Sequence, residues 1–357
     1  EVDDVAAGQG APQGDSNYCS DGIPFIKAGN LESLINGMSE HKVQNVSDVV
    51  AKSHRLKLYK AGSVLFAKSG MSCMKGWVYT LKHDCYVVSH LAIITPHKQK
   101  IESRYLNYYF QFYKPNTLVK DAAYPSISLK DIENMPLLTP PLSEQQHIVE
   151  ELDLLSSIIE KKKAQLKELD NLAQSIFYEM FGDPTKTSKG WKVKKMGDVC
   201  ILKSGNSDAN KSASGDLPYV KVGDMNLEGN ETYIVLSSTY VDRVANARNI
   251  FPIGTIIFPK RGGAILTNKK RLTKTDICCD LNVMGVIPNT DIVIPLYVYY
   301  YFLRIDFSVF ANTGSTIPQI NNYDIAPMNI VLPPMDVQNQ FASKIEAVEH
   351  QKELTKQ

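Results

Sequence analysis

Residues 143–181 read SEQQHIVEELDLLSSIIEKKKAQLKELDNLAQSIFYEMF, and the rest of the chain is organised around this stretch. Apolar or small residues recur in it at alternating steps of four and three, interrupted only by Lys162: Ile148, Leu152, Leu155, Ile159, Leu166, Leu169, Ala173, Ile176 and Met180. This spacing predicts one long helix with a coiled-coil seam, which needs a partner helix. Pro140 and Pro141 mark its start and Gly182 its end, so we expect a helix about 58 Å long at 1.5 Å per residue.

Similar segments lie on both sides of this helix, at a nearly constant offset of 192 to 194 residues. Four pairs match in the same order: DGIPFIKAGN (21–30) with GDLPYVKVGD (215–224), GSVLFAK (62–68) with GTIIFPK (254–260), YLNYYF (105–110) with YVYYYF (297–302), and DIENMPLLTPPLSEQ (131–145) with DIAPMNIVLPPMDVQ (324–338). Four ordered matches indicate an internal duplication. The chain therefore consists of two copies of one unit, each a globular domain followed by a helix.

The repeat predicts an α+β protein with two similar mixed α/β domains separated by two long antiparallel coiled-coil helices. The predicted parts are a first domain (1–142), a central helix (143–182), a second domain (183–335) and a C-terminal helix (336–357). Phe341, Ile345, Val348 and Lys352 form the seam of the last helix, and its antiparallel packing on the central helix would bury both seams. The opening of the second copy, WKVKKMGDV (191–199), has only a short counterpart at Asp4-Val5, so the first copy is expected to lack its leading strand.

Composition limits the functional classes. The 357 residues are 43% hydrophobic and 22% charged, which is ordinary for globular domains. The sequence contains no run of 18 apolar residues and no basic leader, so we expect a cytoplasmic protein. Six scattered cysteines without C-x-x-C pairs favour reduced thiols and no metal. The net charge of +1 argues against an indiscriminate binder of polyanions.

Polar loops in the first domain are candidates for nucleic-acid contact. A glycine-rich loop at 8–14 can let backbone approach a ligand closely, although a plain connector explains it equally well. A basic loop at 68–72 follows a predicted strand, and a second polar loop lies at 124–128. The candidate DNA-contacting residues of this domain are Gln9, Gln13, Lys27, Lys68, Ser69, Tyr124 and Ser126.

The second domain is locally basic. Residues 186–282 hold 16 Lys and Arg against 9 Asp and Glu, which leaves +7. Lys260-Arg261-Gly262 occupies the same position after a strand as Lys68-Ser69-Gly70, and the loop at 314–321 is equivalent to that at 124–128 because Pro318 aligns with Pro125. Arginine can bind guanine through two hydrogen bonds in a major groove, whereas any single lysine is more often part of a solvated turn. The candidates here are Lys203, Ser204, Lys211, Lys221, Lys260, Arg261, Lys269, Lys270, Arg271, Thr316 and Gln319.

The repeated plan of domain and helix resembles the specificity subunit of type I restriction-modification systems. The resemblance covers nearly the whole chain, and it is carried by LTPPLSEQQHIV (138–149) and QSIFYEMFGDP (174–184). It implies two target-recognition domains that each read one half of a bipartite, asymmetric DNA site. It also implies that two modification subunits, which carry the S-adenosylmethionine chemistry, dock on the helices, and that restriction subunits join them for cleavage. The motif residues expected at these contacts are Gln145, Gln146, Glu150, Gln174, Tyr178, Phe181 and Gln338.

Two other classes fit the sequence less well. A methyltransferase acting alone would need a glycine-rich cofactor turn and an Asn-Pro-Pro-Tyr-type motif, and the chain has neither. A nuclease would need clustered carboxylates with a lysine, whereas Asp183 and Asp280 stand alone. We therefore expect no catalysis and no cofactor in this chain. The remaining alternative is a coiled-coil adaptor whose two domains bind proteins, and the salt dependence of duplex binding distinguishes it from a DNA reader.

Overall fold

The computed structural model describes residues 2–183, 190–207, 215–312 and 317–357. The chain divides into two compact units, Glu1–Glu160 and Lys161–Gln357. The division falls within the long helix, so each unit contains one globular domain and a part of that helix. None of the helices in the described ranges is long and apolar enough to cross a membrane.

The first unit consists of two β-sheets and short helices. Its strands are β1 (Val2–Ala7), β2 (Ile23–Ile26), β3 (Asn45–Val46), β4 (Val64–Ala67), β5 (Val78–Thr80), β6 (Tyr86–Val87) and β7 (Leu91–Pro96). Its helices are α1 (Leu31–Ile35), α2 (Asp48–Ser53), α3 (Ser103–Phe112), α4 (Leu129–Glu133) and the first part of α5 (Leu142–Phe181). The larger sheet is antiparallel with the strand order β1-β7-β4-β5, and the smaller has the order β3-β2-β6. Buried Phe66, Ile94, Leu106 and Phe110 pack α3 on the larger sheet.

The second unit repeats this plan. Its strands are β8 (Lys192–Lys195), β9 (Cys200–Ser204), β10 (Leu217–Val220), β11 (Tyr233–Ile234), β12 (Tyr240–Val241), β13 (Ile256–Pro259), β14 (Arg271–Thr273), β15 (Cys278–Cys279), β16 (Val283–Pro288) and β17 (Asn329–Leu332). Its further helices are α6 (Met196–Val199), α7 (Pro295–Leu303), α8 (Asn322–Ile325) and α9 (Met335–Lys356). The strand order β9-β16-β13-β14 matches β1-β7-β4-β5. The pairs agree in register too: Val64 lies opposite Ile94, and Ile256 lies opposite Val286. The predicted duplication is confirmed.

One detail of the repeat was predicted wrongly. Strand β1 pairs with β7 so that Val5 lies opposite Ile94, and β9 pairs with β16 so that Leu202 lies opposite Val286. Asp4-Val5 is therefore equivalent to a part of β9, and not to Asp198-Val199. The described residues of the first unit include no counterpart of the segment from β8 through α6.

Helix α5 begins at Leu142 and ends at Phe181, within one residue of the predicted limits. Gly182 ends it with a φ of 75°, a conformation that glycine adopts without the steric cost of a side chain. Leu155 and Ile159 of the predicted seam are about half exposed, at 55% and 52%.

Helix α9 packs antiparallel on the part of α5 that belongs to the second unit. The Phe341 ring contacts Phe181 at 5.1 Å between ring centroids, whereas Lys352, three turns later, lies 2.6 Å from the Asp170 carboxylate. Because the contacts run in opposite directions along the two helices, the predicted antiparallel packing is confirmed. Of the predicted seam, Ala173 is buried, and Leu169, Ile176 and Met180 are partly buried against the same core. The most buried aromatic residues, Phe177 and Phe181, lie one residue beyond Ile176 and Met180.

Candidate nucleic-acid interface

In the first unit, two polar loops that are far apart in the sequence are hydrogen-bonded to each other. The Ile127 amide donates to the Lys68 carbonyl at 2.7 Å, and the Gly70 amide donates to the Pro125 carbonyl at 3.0 Å. We call Lys68–Gly70 together with Pro125–Ile127 the first paired loop. Both of its halves were predicted as candidate segments.

The second unit forms the same structure, which we call the second paired loop: Lys260–Gly262 together with Pro318–Ile320. The Ile320 amide donates to the Lys260 carbonyl at 2.8 Å, and the Gly262 amide donates to the Pro318 carbonyl at 2.8 Å. The predicted equivalence of the loops at Pro125 and Pro318 is therefore confirmed. Each loop leaves the end of a central strand, β4 or β13, so a rigid sheet holds it.

A third segment, which the sequence analysis missed, completes each paired loop. The Lys68 amide donates to the His90 carbonyl at 2.9 Å, and the Lys260 amide donates to the Asn282 carbonyl at 2.8 Å. His90 and Asn282 occupy equivalent positions just before β7 and β16. The constant offset of 192 residues could have identified them.

The side chains of the first paired loop are polar, and several are exposed. The Ser69 hydroxyl lies 2.7 Å from His90 Nδ1, and Tyr124 beside the loop is 84% exposed. Ser126 is exposed, and Lys68 is half-buried. This surface offers hydroxyl and imidazole hydrogen-bonding groups together with one ammonium.

The second paired loop is more basic. Arg261 is exposed, and the Lys260 ammonium donates to the Ser204 hydroxyl at 2.9 Å. Burial lowers the pKa of Lys260, and the Arg261 charge lowers it further. Gln319 is half-buried and donates to the Asn321 side-chain oxygen at 3.0 Å. A guanidinium that projects from a fixed loop suits recognition of a guanine edge or a phosphate.

The glycine-rich loop of the first unit serves the fold. Gln9 donates to the Arg55 carbonyl at 2.9 Å and accepts from the Lys57 amide, and Gln13 donates to the nearby Ala11 carbonyl at 3.0 Å. A Cβ at Gly8 would lie 2.2 Å from the Val88 carbonyl oxygen, so the close approach is to the protein's own backbone. The predicted approach to a ligand is corrected at this glycine.

Three candidate lysines hold neighbouring segments together. Lys27 donates to the Gln44 side chain at 2.6 Å, and the equivalent Lys221 donates to the Thr239 hydroxyl at 3.1 Å. Lys203 donates to the Arg248 and Ile250 carbonyls at 2.8 and 3.1 Å. Each of these ammonium groups therefore has an acceptor within its own unit.

The basic cluster 269–271 was predicted to contact phosphate, and the structure corrects that for Lys270. Lys270 is only 1% exposed, and it donates to the Asn268 side chain and to the Ile305 carbonyl above the Phe307 ring. Burial lowers the pKa of Lys270 to about 8. Arg271 is half-buried and donates to the Met225 carbonyl at 3.0 Å, and Lys269 donates to Asn226. Lys211 and Thr316 lie outside the described residues.

The candidate partner-binding residues fall into two groups. Gln145, Gln338 and Phe181 are buried and have contacts within their own units, so the prediction that they bind a partner is corrected. The exposed candidates are Gln146, Glu150, Gln174 and Tyr178, and the Arg304 guanidinium lies 5.6 Å from the centre of the Tyr178 ring.

The buried glutamines make the same contacts in the two units. Gln145 accepts from the Glu102 amide at 2.9 Å and donates to the Lys100 and Pro140 carbonyls at 2.7 and 2.8 Å. Gln338 accepts from the Ile294 amide at 2.9 Å and donates to the Ile292 and Pro333 carbonyls at 3.2 and 2.9 Å. Each glutamine thereby fixes the start of α5 or α9 to the domain that precedes it.

Comparisons with known proteins identify relatives along nearly the whole chain. The family model for the type I restriction modification DNA specificity domain matches residues 1–170 and 188–357. The type I restriction enzyme MjaIX specificity subunit of Methanocaldococcus jannaschii is 22% identical over 97% of this chain and 84% of its own length.

Solved structures share the fold. The S subunit of a type I restriction-modification system from M. genitalium superposes with a TM-score of 0.57 at 11% identity, over 99% of this chain and 88% of that one. A chain from a structure of complex assembly in the type I R-M system gives a TM-score of 0.54 at 16% identity, over 93% and 85%. At these identities the likeness shows the fold.

Proposed function

This chain belongs to the type I restriction modification DNA specificity family, and on that premise we propose that the two paired loops are its DNA-reading surfaces. The chain is the specificity subunit of a type I restriction-modification complex, with two domains for a bipartite DNA site. In our proposal each paired loop contacts one half of that site. The predicted limits of the two target-recognition domains, 1–142 and 183–335, each include one paired loop.

The repeated geometry carries this proposal. The same hydrogen bonds hold both paired loops, yet the side chains on them differ: Ser69 contacts His90 in one unit, whereas the other has the exposed Arg261 next to Lys260, which donates to Ser204. Two domains that recognise different DNA sequences require the same loop backbone with different side chains on it. Arg261 can donate two parallel hydrogen bonds to a guanine, while a hydroxyl tolerates several bases.

The partner subunits are part of the proposal. Two modification subunits dock on the helices through exposed side chains such as Gln146, Glu150, Gln174 and Tyr178, and restriction subunits join that assembly. S-adenosylmethionine binds to the modification subunit, so this chain directs a reaction that it does not catalyse. The complex works in the cytoplasm, where the chromosome to be methylated is accessible.

The test compares Arg261→Ala with Arg248→Ala in the complex with modification subunits. Both arginines are exposed and lie in the second unit, but only Arg261 is in a paired loop. Because a good arginine contact to a base is worth about 1–3 kcal/mol, Arg261→Ala should weaken binding to the intact site by roughly 5- to 150-fold. The loss should disappear on a duplex whose second half-site is already scrambled. Arg248→Ala should bind as the unchanged chain does.

The salt dependence of DNA binding distinguishes a DNA-recognition subunit from a protein-binding adaptor. Binding through phosphates weakens steeply as salt rises, and the double variant Lys260→Ala with Arg261→Ala should have a shallower slope, by about one unit for each phosphate that the variant no longer neutralises. Salt-independent binding, or unchanged methylation of both half-sites by the double variant, would overturn the proposal.

A further inference from the structure

The two units differ at one edge of the larger sheet. In the second unit strand β11 pairs in parallel with β14, so that Tyr233 lies opposite Leu272, and the Leu272 amide donates to the Thr232 carbonyl at 2.9 Å. In the first unit the sheet ends at β5, the counterpart of β14, and no described strand pairs with its outer side. Strand β5 therefore presents an open edge.

The backbone of β5 has the same orientation as that of β14. The Leu81 amide donates to the Ser63 carbonyl at 2.9 Å, and the equivalent Thr273 amide donates inwards in the same way. In an antiparallel pair, residues that bond the partner strand alternate with residues whose amide and carbonyl point away from it. The amide and carbonyl of Thr80, the counterpart of Leu272, therefore point outwards from the sheet.

The edge is open because of the course of an internal segment. The connection from β2 to β3 joins strands equivalent to β10 and β12, but it forms α1 and a 3-10 helix at Glu40–Lys42 where the second unit has β11. The Glu40 carboxylate, only 1% exposed, accepts from the Lys82 and His83 amides at 2.8 and 2.9 Å. These bonds fix the connection beyond the end of β5, and all of its residues are among those described.

A groove of about 610 Å³ lies along this edge. Leu34 and Val78 in its lining are buried, whereas Ile35 is 45% exposed. The Asn107 side chain donates to the Thr80 hydroxyl at 2.8 Å and fixes that side chain. The groove therefore combines apolar walls with an open strand edge. The lining residues used here come from α1, from β5 and its end, and from α3: Leu34, Ile35, Val78, Thr80, Lys82 and Asn107.

The second unit shows which chemistry fits this place. There the Lys274 ammonium lies 4.8 Å from the centre of the Tyr233 ring, which stands next to β14. The counterpart of Lys274, at the repeat offset of 192 residues, is Lys82. Lys82 is exposed and lines the groove, so a cation–π contact is available to an aromatic ring that enters it.

We propose that this groove binds an extended segment of a partner polypeptide, which adds to β5 as a parallel strand. The segment has the chemistry of Thr232–Ile234, a short β-forming run with an aromatic residue at its centre. The carbonyl before the aromatic residue accepts from the Thr80 amide, the amide after it donates to the Thr80 carbonyl, and the ring lies against Lys82. Backbone pairing supplies the affinity of such a strand, and the place for the ring supplies the specificity.

The direct test uses a fluorescein-labelled peptide of residues 229–238, GNETYIVLSS, titrated with the full chain and followed by fluorescence anisotropy. We expect saturable binding. The same peptide methylated on the Ile234 amide nitrogen should bind roughly tenfold more weakly, because it lacks the donor to the Thr80 carbonyl. Tyr233→Ser in the peptide should also weaken binding, because the ring that contacts Lys82 is lost.

Thr80 offers a matched pair of variants in the chain. Thr80→Pro removes the amide that faces the groove but no amide that bonds β4, since proline is tolerated where the amide of an edge strand points outwards. This variant should bind the peptide roughly tenfold more weakly. Thr80→Val keeps the amide and should bind within about twofold of the unchanged chain. Lys82→Ala should weaken binding about threefold, whereas Lys130→Ala, at an exposed position in α4, should not.

Hydrogen exchange keeps the test informative should Thr80→Pro impair folding. Added peptide should slow exchange of the Thr80 amide in the unsubstituted chain. Three results would each overturn the proposal: anisotropy that does not saturate, equal binding of the N-methylated peptide, or protection confined to 271–273, which would mean exchange with β11 in the second unit. DNA plays no part in these measurements, so they fail or succeed independently of the DNA-reading proposal.

Discussion

At the scale of single residues, glutamine joins each domain to its helix. Gln145 and Gln338 are completely buried, and each uses its amide as both acceptor and donor. Two of the acceptor carbonyls belong to Pro140 and Pro333, just before the start of each helix. A buried side-chain amide with its partners satisfied can specify one geometry of the chain entering the helix.

Because Gln338 joins its domain to α9, we expect the Gln338→Ala variant to have a lower free energy of unfolding. The substitution leaves the Ile294 amide and the Ile292 and Pro333 carbonyls without their partner, and a buried unsatisfied polar group costs about 1–3 kcal/mol. The free energy of unfolding from urea denaturation should fall by that amount. Gln146→Ala, at an exposed position one residue after the equivalent Gln145, should change it by less than about 0.5 kcal/mol. Equal denaturation midpoints for the two variants would show that the buried glutamine does not stabilise the junction.

Lys270 predicts a pH dependence of opposite sign to that of a salt-bridged lysine. Burial lowers its pKa to about 8 in the folded chain, below the ordinary value of 10.5, so the unfolded chain binds more protons between these pH values. Stability from this group therefore rises with pH from about 8 to 10, because the folded state no longer holds a buried charge. Lys270→Met should remove that rise when urea denaturation is repeated at pH 7.5, 8.5 and 9.5. A rise that persists in the variant would assign the effect to another group.

At the scale of elements, the sequence predicts the features that a local or repeated pattern of residues determines. The limits of α5 follow from Pro141 and Gly182, and the equivalence of the paired loops follows from the repeat. The predicted seam of α5 includes the buried Ala173 and the partly buried Ile176 and Met180 but misses Phe177 and Phe181, because it continued a register set by Ile148. Aromatic rings of α7, such as Tyr297, pack against Phe177 and Phe181 and decide which face is buried. No pattern within α5 contains that information.

The sequence predicted which loops form the candidate site, but it predicted less well which of the candidate side chains are exposed. Lys68 and Lys260 lie in the expected loops, whereas Lys270 and Gln145 are buried against acceptors distant in sequence. Polar residues are usually exposed, so a sequence pattern assigns them to the surface by default. Burial of a lysine depends on carbonyls that only the folded chain brings together. The repeat offset aligns His90 with Asn282, but its contact to Ser69 spans 21 residues and is seen only in the folded chain.

At the scale of the whole molecule, the two units present different chemistry on one backbone plan. The first paired loop carries a serine, a histidine and a nearby tyrosine, and the second carries an arginine beside a partly desolvated lysine. Two identical recognition domains would recognise the same bases twice. The differences instead favour two unlike half-sites, so the order and the separation of the halves both carry information.

Helix α5 joins the two recognition domains, and we propose that its length sets the separation of the two half-sites. Seven helix-forming residues inserted between Glu160 and Lys161 keep the heptad phase and lengthen α5 by about 10 Å. At 3.4 Å per base pair, the permitted gap between half-sites should grow by about three base pairs. In vitro methylation of a duplex library with randomised gaps, read by sequencing the methylated positions, measures this directly. The control places the same seven residues in the exposed turn at Arg243–Val244, which lengthens the chain but not the helix, and should keep the original gap. A gap that is unchanged by the α5 insertion, with both half-sites still methylated, would mean that something other than this helix measures the distance.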